Sequence, residues 1–230
     1  MTHRRGTFQP NFEILPLNQK TLWPKLKPAS ELGFVLYGGT AIALRLGHRE
    51  SVDFDFFSSR PFNHEAIFSA MPALSDAMVI QEEPDTLTLS LDPMDPSQNA
   101  LKVSFFTIGS GRVGTPQWTS DGVVLVASMR DLMAFKLKVL VQRIEKKDYL
   151  DIHVMIENGL SLQDGLSCAK ALFGKAFQPS EALKTLTWFK GGDLADLSAE
   201  IKQSLIHAVN AVEEIPPAPL LHSPLDSGDE

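Results

Sequence analysis

Two aspartates separated by one residue, Asp53 and Asp55, follow a glycine pair, Gly38-Gly39, by fourteen residues. The residues around them read Phe34-Val-Leu-Tyr-Gly-Gly-Thr-Ala and Ser51-Val-Asp-Phe-Asp-Phe-Phe. This predicts a strand, a glycine turn, a short helix, and a second strand. Residues two apart on a strand share a face, so both carboxylates point together while Val52, Phe54 and Phe56 are expected in a core. Two like charges held that close call for a cation. Mg²⁺ (or Mn²⁺) takes oxygen ligands, commonly one or two carboxylates with substrate phosphates. The glycines let backbone N–H groups approach an anion at the start of a helix. Metal-holding carboxylates beside a phosphate cradle describe nucleotide chemistry, with an NTP as the expected ligand.

A second group of charged residues lies downstream: Lys136, Arg143, and Lys147-Asp148-Tyr149-Leu150-Asp151. The expected helix from Arg130 to about Ile144 has Lys138, Gln142 and Glu145 on a solvent side. Lys136, Arg143 and Lys147 form an opposed stripe if the helix continues. Core packing needs one apolar stripe between polar faces, so two polar stripes suggest that one of them lines a polar surface. Asp148 and Asp151, three apart, are neighbours on a helix.

The string Gly38-Gly-Thr-Ala…Arg49-Glu-Ser-Val-Asp-Phe-Asp-Phe-Phe, with the K…R…KDxxD block after it, resembles the AbiEii/AbiGii toxin group of polymerase-β-like nucleotidyltransferases. The resemblance runs from about Phe34 to Ile156. It implies a Mg²⁺-dependent transfer of a nucleotide from an NTP to an acceptor hydroxyl, on an RNA or tRNA end or on a protein. It also implies a toxin-like role, as in type IV toxin–antitoxin systems, with a possible cognate antitoxin. By this resemblance Asp53 and Asp55 hold the metal, and Gly38, Gly39 and Thr40 cradle phosphate. Arg49, Arg143 and Lys147 assist in nucleotide binding, and Lys136 stabilises charge on the triphosphate. Asp148 orients or deprotonates the acceptor, and Asp151 holds Arg143 or Lys147. Many relatives place a third carboxylate on a later strand, where this chain has Ser104. That departure keeps an alternative open: a catalytically weak nucleotide- or RNA-binding module on the same fold. A structural or partner-binding protein is a third reading.

The elements that must position these residues make an α+β pattern, with strands early and helices late. The expected layout is a polymerase-β-like core with a mixed sheet and flanking helices over 1–127. A helical region over 128–215 completes the active-site cleft, and a disordered tail covers 216–230. Expected strands lie at 33–37, 52–57, 78–82, 86–91, 101–108 and 123–127, with a turn cluster at 92–99. Asn63 and Ser128 are expected helix N-caps. Trp118, Trp188 and Phe189 are assigned to packing.

The net charge of −7 is unevenly spread. Residues 1–60 and 101–180 each carry three more Lys and Arg than Asp and Glu. Residues 61–100 hold seven acids and no Lys or Arg, and 181–230 hold nine acids against three bases. The chain is therefore no uniform nucleic-acid coat, though its two chemistry-bearing segments are its basic ones. A single cysteine, Cys168, excludes an internal disulfide and suits a reducing cytoplasm. No apolar run approaches the ~20 residues of a membrane span, and the six histidines lack zinc-type spacing.

Overall fold

Short alternating strands and glycine turns fill the first half of the chain, and capped amphipathic helices fill the second. The computed structural model describes residues 6–93, 99–109 and 111–227. They divide into two compact units, one running to Ala127 and resuming at His222, the other spanning Ser128–Leu221. The expected turn cluster at 92–99 falls mostly on residues 94–98, outside the described residues.

In the first unit the elements run β1 (Thr7–Phe8), α1 (Leu17–Leu22), α2 (Lys27–Glu31), β2 (Val35–Tyr37), α3 (Gly38–Leu46) and β3 (Asp53–Ser58). They continue with α4 (His64–Ala70), β4 (Met78–Glu83), β5 (Thr86–Leu91), β6 (Leu101–Thr107), β7 (Gln117–Thr119) and β8 (Leu125–Val126). The strands form one mixed sheet in the order β1-β7-β8-β2-β3-β6-β5-β4. At its centre β3 runs antiparallel to β2 and parallel to β6. Phe54 and Phe56 alternate inward and are fully buried. Phe56 stacks on Phe105 with centroids 5.4 Å apart, and Phe34 meets Phe105 edge-on at 5.1 Å.

Val52 does not join this core. It precedes β3 and is 39% exposed, so the alternation begins only with Asp53. Further on, Leu225 is buried, its N–H donates to Ser59 Oγ at 3.2 Å, and Arg60 pairs with Asp226 at 2.5 Å.

The second unit is helical: α5 (Met129–Leu140), α6 (Lys146–Glu157), α7 (Leu162–Phe173), α8 (Pro179–Leu186) and α9 (Ala199–Asn210). Ser128 caps α5 by accepting from the Asp131 N–H, which satisfies one orphan amide of the first turn. Arg130 reaches α7 with two hydrogen bonds to Asp164, at 3.0 and 2.9 Å. The single helix expected through Ile144 is in fact broken after Leu140. Lys136 therefore lies on one helix, Lys147 on the next, and Arg143 in the link between them. Among the described residues, no helix is long and apolar enough to cross a membrane.

Candidate active site

In the first unit, Asp53 and Asp55 lie on the half-buried face of β3, opposite Phe54 and Phe56. Tyr37 pairs with Asp55 across the β2–β3 ladder, which places the glycines that follow Tyr37 beside the Asp55 carboxylate. Gly38 has φ +73°, and a Cβ there would sit 2.3 Å from Asp55 Oδ2. A Cβ on Gly39 would sit 2.3 Å from an Arg49 guanidinium nitrogen. Both contacts are far inside van der Waals range, but only Gly38 also sits at positive φ; at Gly39 the flexible end of Arg49 is what would have to shift. The sequence signal and the geometry agree here for a steric reason.

Gly38 and Gly39 open α3, whose first-turn amides lack intrahelical acceptors. The positive end of the helix and these amides stand beside a carboxylate pair, an arrangement that suits a metal–phosphate ligand. Thr40 is turned the other way. It is buried, and its hydroxyl donates to the Asp53 carbonyl and shares a 2.8 Å hydrogen bond with Ser51 Oγ. These contacts tie α3 to the entry of β3, so its hydroxyl anchors the Asp53 backbone. Arg49 donates to the Glu50 carbonyl at 2.9 Å and crowds the start of α3.

The Asp53 carboxylate itself has no hydrogen bond or ion pair among the described residues. Ser104, where a third acid was looked for, is the register partner of Asp55 on parallel β6. It is buried. Among the described residues no cluster of three or more His, Cys, Asp or Glu could enclose a metal. Two carboxylates on one face nonetheless fit a divalent ion that takes its remaining ligands from phosphate and water.

Arg45, between the glycines and the aspartates, serves the framework. It donates to Gln117 Oε1 at 2.7 Å and to the Ala127 carbonyl at 2.8 Å, and its guanidinium lies 4.1 Å from the Phe8 ring centroid. Burial pushes its pKa down to about 10.

In the second unit the charged block closes on itself. Lys136 Nζ lies 2.7 Å from both Asp148 Oδ1 and Asp151 Oδ2. Arg143 donates to Asp148 through Nε at 3.0 Å and through a terminal nitrogen at 3.3 Å. Both aspartate side chains are 0% exposed. Asp151 pairs with Lys136, because the helix break brings α6 back beside Lys136. Lys147 pairs instead with Glu145 at 2.9 Å. Both Asp148 oxygens are thus engaged by cations.

Tyr149, beside Asp148, is a further residue with a task that sequence reasoning passed over. It is buried, and its hydroxyl lies 3.0 Å from the Thr185 carbonyl and 3.3 Å from that of Trp188. Burial, then the charge of Asp148, raises its pKa to about 12, so it remains a donor. Trp188, assigned to packing from sequence, is 53% exposed. The signal available was its position between helix end and glycine pair, Trp188-Phe-Lys-Gly-Gly.

The fold is one that nucleotidyltransferases use. MenT4, a nucleotidyltransferase toxin from Mycobacterium tuberculosis H37Rv, superposes with a TM-score of 0.54 at 13% identity, over 86% of this chain and 93% of that one. Residues 26–207 match the family described as nucleotidyl transferase AbiEii toxin, type IV TA system. The chain belongs to that family, and so is a nucleotidyltransferase enzyme. An uncharacterized protein of Aquifex aeolicus (strain VF5), aq_aa25, is 31% identical over 160 residues, which is 68% of this chain and 74% of that protein.

Proposed function

We propose that the protein transfers a nucleotide from an NTP to an acceptor hydroxyl on an RNA or tRNA end or on a protein, with Mg²⁺ or Mn²⁺ held by Asp53 and Asp55. The observation that carries this reading is the Asp53–Asp55 pair on one face of β3, with Asp55 lodged against Gly38 and the Asp53 carboxylate unengaged. A divalent cation bound there would neutralise charge on the triphosphate and on the two aspartates. The backbone N–H groups at Gly38 and Gly39 would bind phosphate oxygens, and Arg49 would add positive charge to that cradle. Thr40 fixes the Asp53 backbone, keeping the two carboxylates in register.

In the second unit, Arg143 and Lys147, paired with Asp148 and Glu145, leave nearly half of their side chains exposed and would meet phosphate. Lys136 adds positive charge beneath them, and Asp148 is a positioning residue that holds Lys136 and Arg143. Catalysis on this scheme is positioning plus electrostatic stabilisation. We further propose a cytoplasmic toxin role with a cognate antitoxin, following the type IV system named in the family description.

Incubation with each α-labelled NTP, Mg²⁺ and total tRNA tests the reading, beside an Asp53→Asn/Asp55→Asn control. Label moved to RNA or protein, and lost in the control, is the expected result. Absence of both transfer and metal-dependent NTP binding would overturn it. Ser104 opposite Asp55 favours one second reading, a weak nucleotide- or RNA-binding module. That module would bind its ligand without metal and with a steep salt dependence.

A further inference from the structure

The second unit carries a groove of about 690 Å³, lined among others by Gln142, Arg143, Ile144, Lys184 and Trp188. It begins where Arg143 leaves the Asp148 cluster. Its floor is apolar, with Leu140, Val141 and half-exposed Ile144. Its rim carries Arg143 and Lys184, with Glu181 as the acid that lines it. Trp188 presents its ring here while its backbone is held from beneath by the buried Tyr149 hydroxyl. Lys190 Nζ lies 5.2 Å from the indole centroid, a cation–π distance.

An exposed aromatic ring with Lys190 at cation–π distance and Lys184 lining the same groove matches the chemistry of an unpaired nucleotide: a base with a π-face and a phosphate on each side. A peptide would use the apolar floor but not the two lysines. We infer that this groove binds the end of a single-stranded nucleic acid, one base stacking on Trp188 and its phosphates meeting Arg143, Lys184 and Lys190. This takes the acceptor to be nucleic acid, and in that respect rests on the function proposed above.

The test uses the full chain without NTP or metal, and a single-stranded oligoribonucleotide of about ten nucleotides. Trp23 is buried and Trp118 half-buried, so quenching of the exposed indole reports the groove. Trp188→Ala should weaken binding about tenfold or more, whereas Trp188→Phe keeps most of it. Lys184→Glu with Lys190→Glu, both at exposed positions, should weaken binding and flatten its salt dependence. These two changes keep the test open if Trp188→Ala fails to fold.

Equal binding by wild type and a folded Trp188→Ala overturns the inference, as does equal affinity for a duplex of the same sequence. A change in sedimentation of the protein alone on Trp188→Ala also overturns it, since a second copy then covers the groove. The Asp53→Asn/Asp55→Asn variant should bind the oligonucleotide as wild type does. Binding without any nucleotidyl transfer would sink the enzyme reading and leave the groove. Transfer with binding indifferent to Trp188 would do the reverse.

Discussion

The two units each hold a pair of aspartates, and the pairs sit in different surroundings. Asp53 and Asp55 lie on a strand, half-exposed, with glycines cleared away in front of them. Asp148 and Asp151 lie on a helix, fully buried, with Lys136 between them and Arg143 across one of them. The second pair is buried together with its cations. The first is half-exposed beside the start of a helix. Residue type is the same in both places, so burial and backbone setting are what distinguish the two pairs.

The comparison is broken most severely by removing the internal cation. Lys136→Met leaves two buried carboxylates with Arg143 as their main counter-charge, and should cost about 3–5 kcal/mol in denaturant unfolding. Neutralising all three, with Lys136→Met, Asp148→Asn and Asp151→Asn, should recover much of that loss, because a buried network is replaced as a unit. Cys168 offers a local readout. Burial, followed by the charge of Asp164, pushes its thiol up to about 11. It is therefore protonated and shielded at pH 8, and faster alkylation in Lys136→Met would report opening of this unit. The opposite behaviour is expected of the first pair. Asp53→Asn should change stability by no more than about 0.5 kcal/mol while lowering transfer about 10²-fold or more. A large stability loss in Asp53→Asn would make the two pairs equivalent and end the comparison.

The glycine contact gives the next effect. Gly38→Ala introduces a Cβ 2.3 Å from Asp55 Oδ2 at φ +73°. It should cost about 1–3 kcal/mol of backbone strain. Because the carboxylate must also move, metal-dependent NTP binding should fall more than stability does. Gly39→Ala has no comparable φ and displaces Arg49 instead of Asp55, so its loss should appear in NTP affinity with metal affinity retained. Isothermal titration with Mn²⁺ and with NTP separates the two.

What the sequence made legible was local. The Gly-Gly turn, the alternation of Asp53 to Phe56 and the Ser128 cap depend on residues within a few positions of one another, and each formed as read. Ser104 was picked out only through the family resemblance, and the structure sets it in register with Asp55. The break after Leu140 was not legible, because no Gly or Pro marks it. The N-terminus of α6 is capped from far away: Asp193 Oδ1 accepts from the Lys146 N–H at 2.6 Å. A cap forty-seven residues distant leaves no trace in a helical pattern. Once the helix breaks there, Lys136 meets Asp148 and Asp151, and the stripe it was expected to share with Arg143 and Lys147 no longer exists. Leu225 and Asp226 escaped reading for the same reason, as their partners are 166 residues earlier.

The smallest effect sharpens the comparison from the other side, by adding charge to the open pair. Ser104 stands in register with Asp55 on β6 and is buried. Ser104→Asp would set a third carboxylate beside the two already present, without a lysine to meet it. In metal-free buffer the added like charge should destabilise the protein by about 1 kcal/mol, a loss that shrinks as pH falls and the carboxylates protonate. Saturating Mn²⁺ should then raise Tm further in Ser104→Asp than in wild type, because a ligand that binds only the folded state stabilises it by mass action. The same substitution in an Asp53→Asn background should lose most of that metal response. If Mn²⁺ moves neither protein, Asp53 and Asp55 are not a cation site, and the open pair needs another explanation. If it moves both equally, Ser104 lies outside the coordination sphere, and two carboxylates with phosphate are the whole of the protein's contribution.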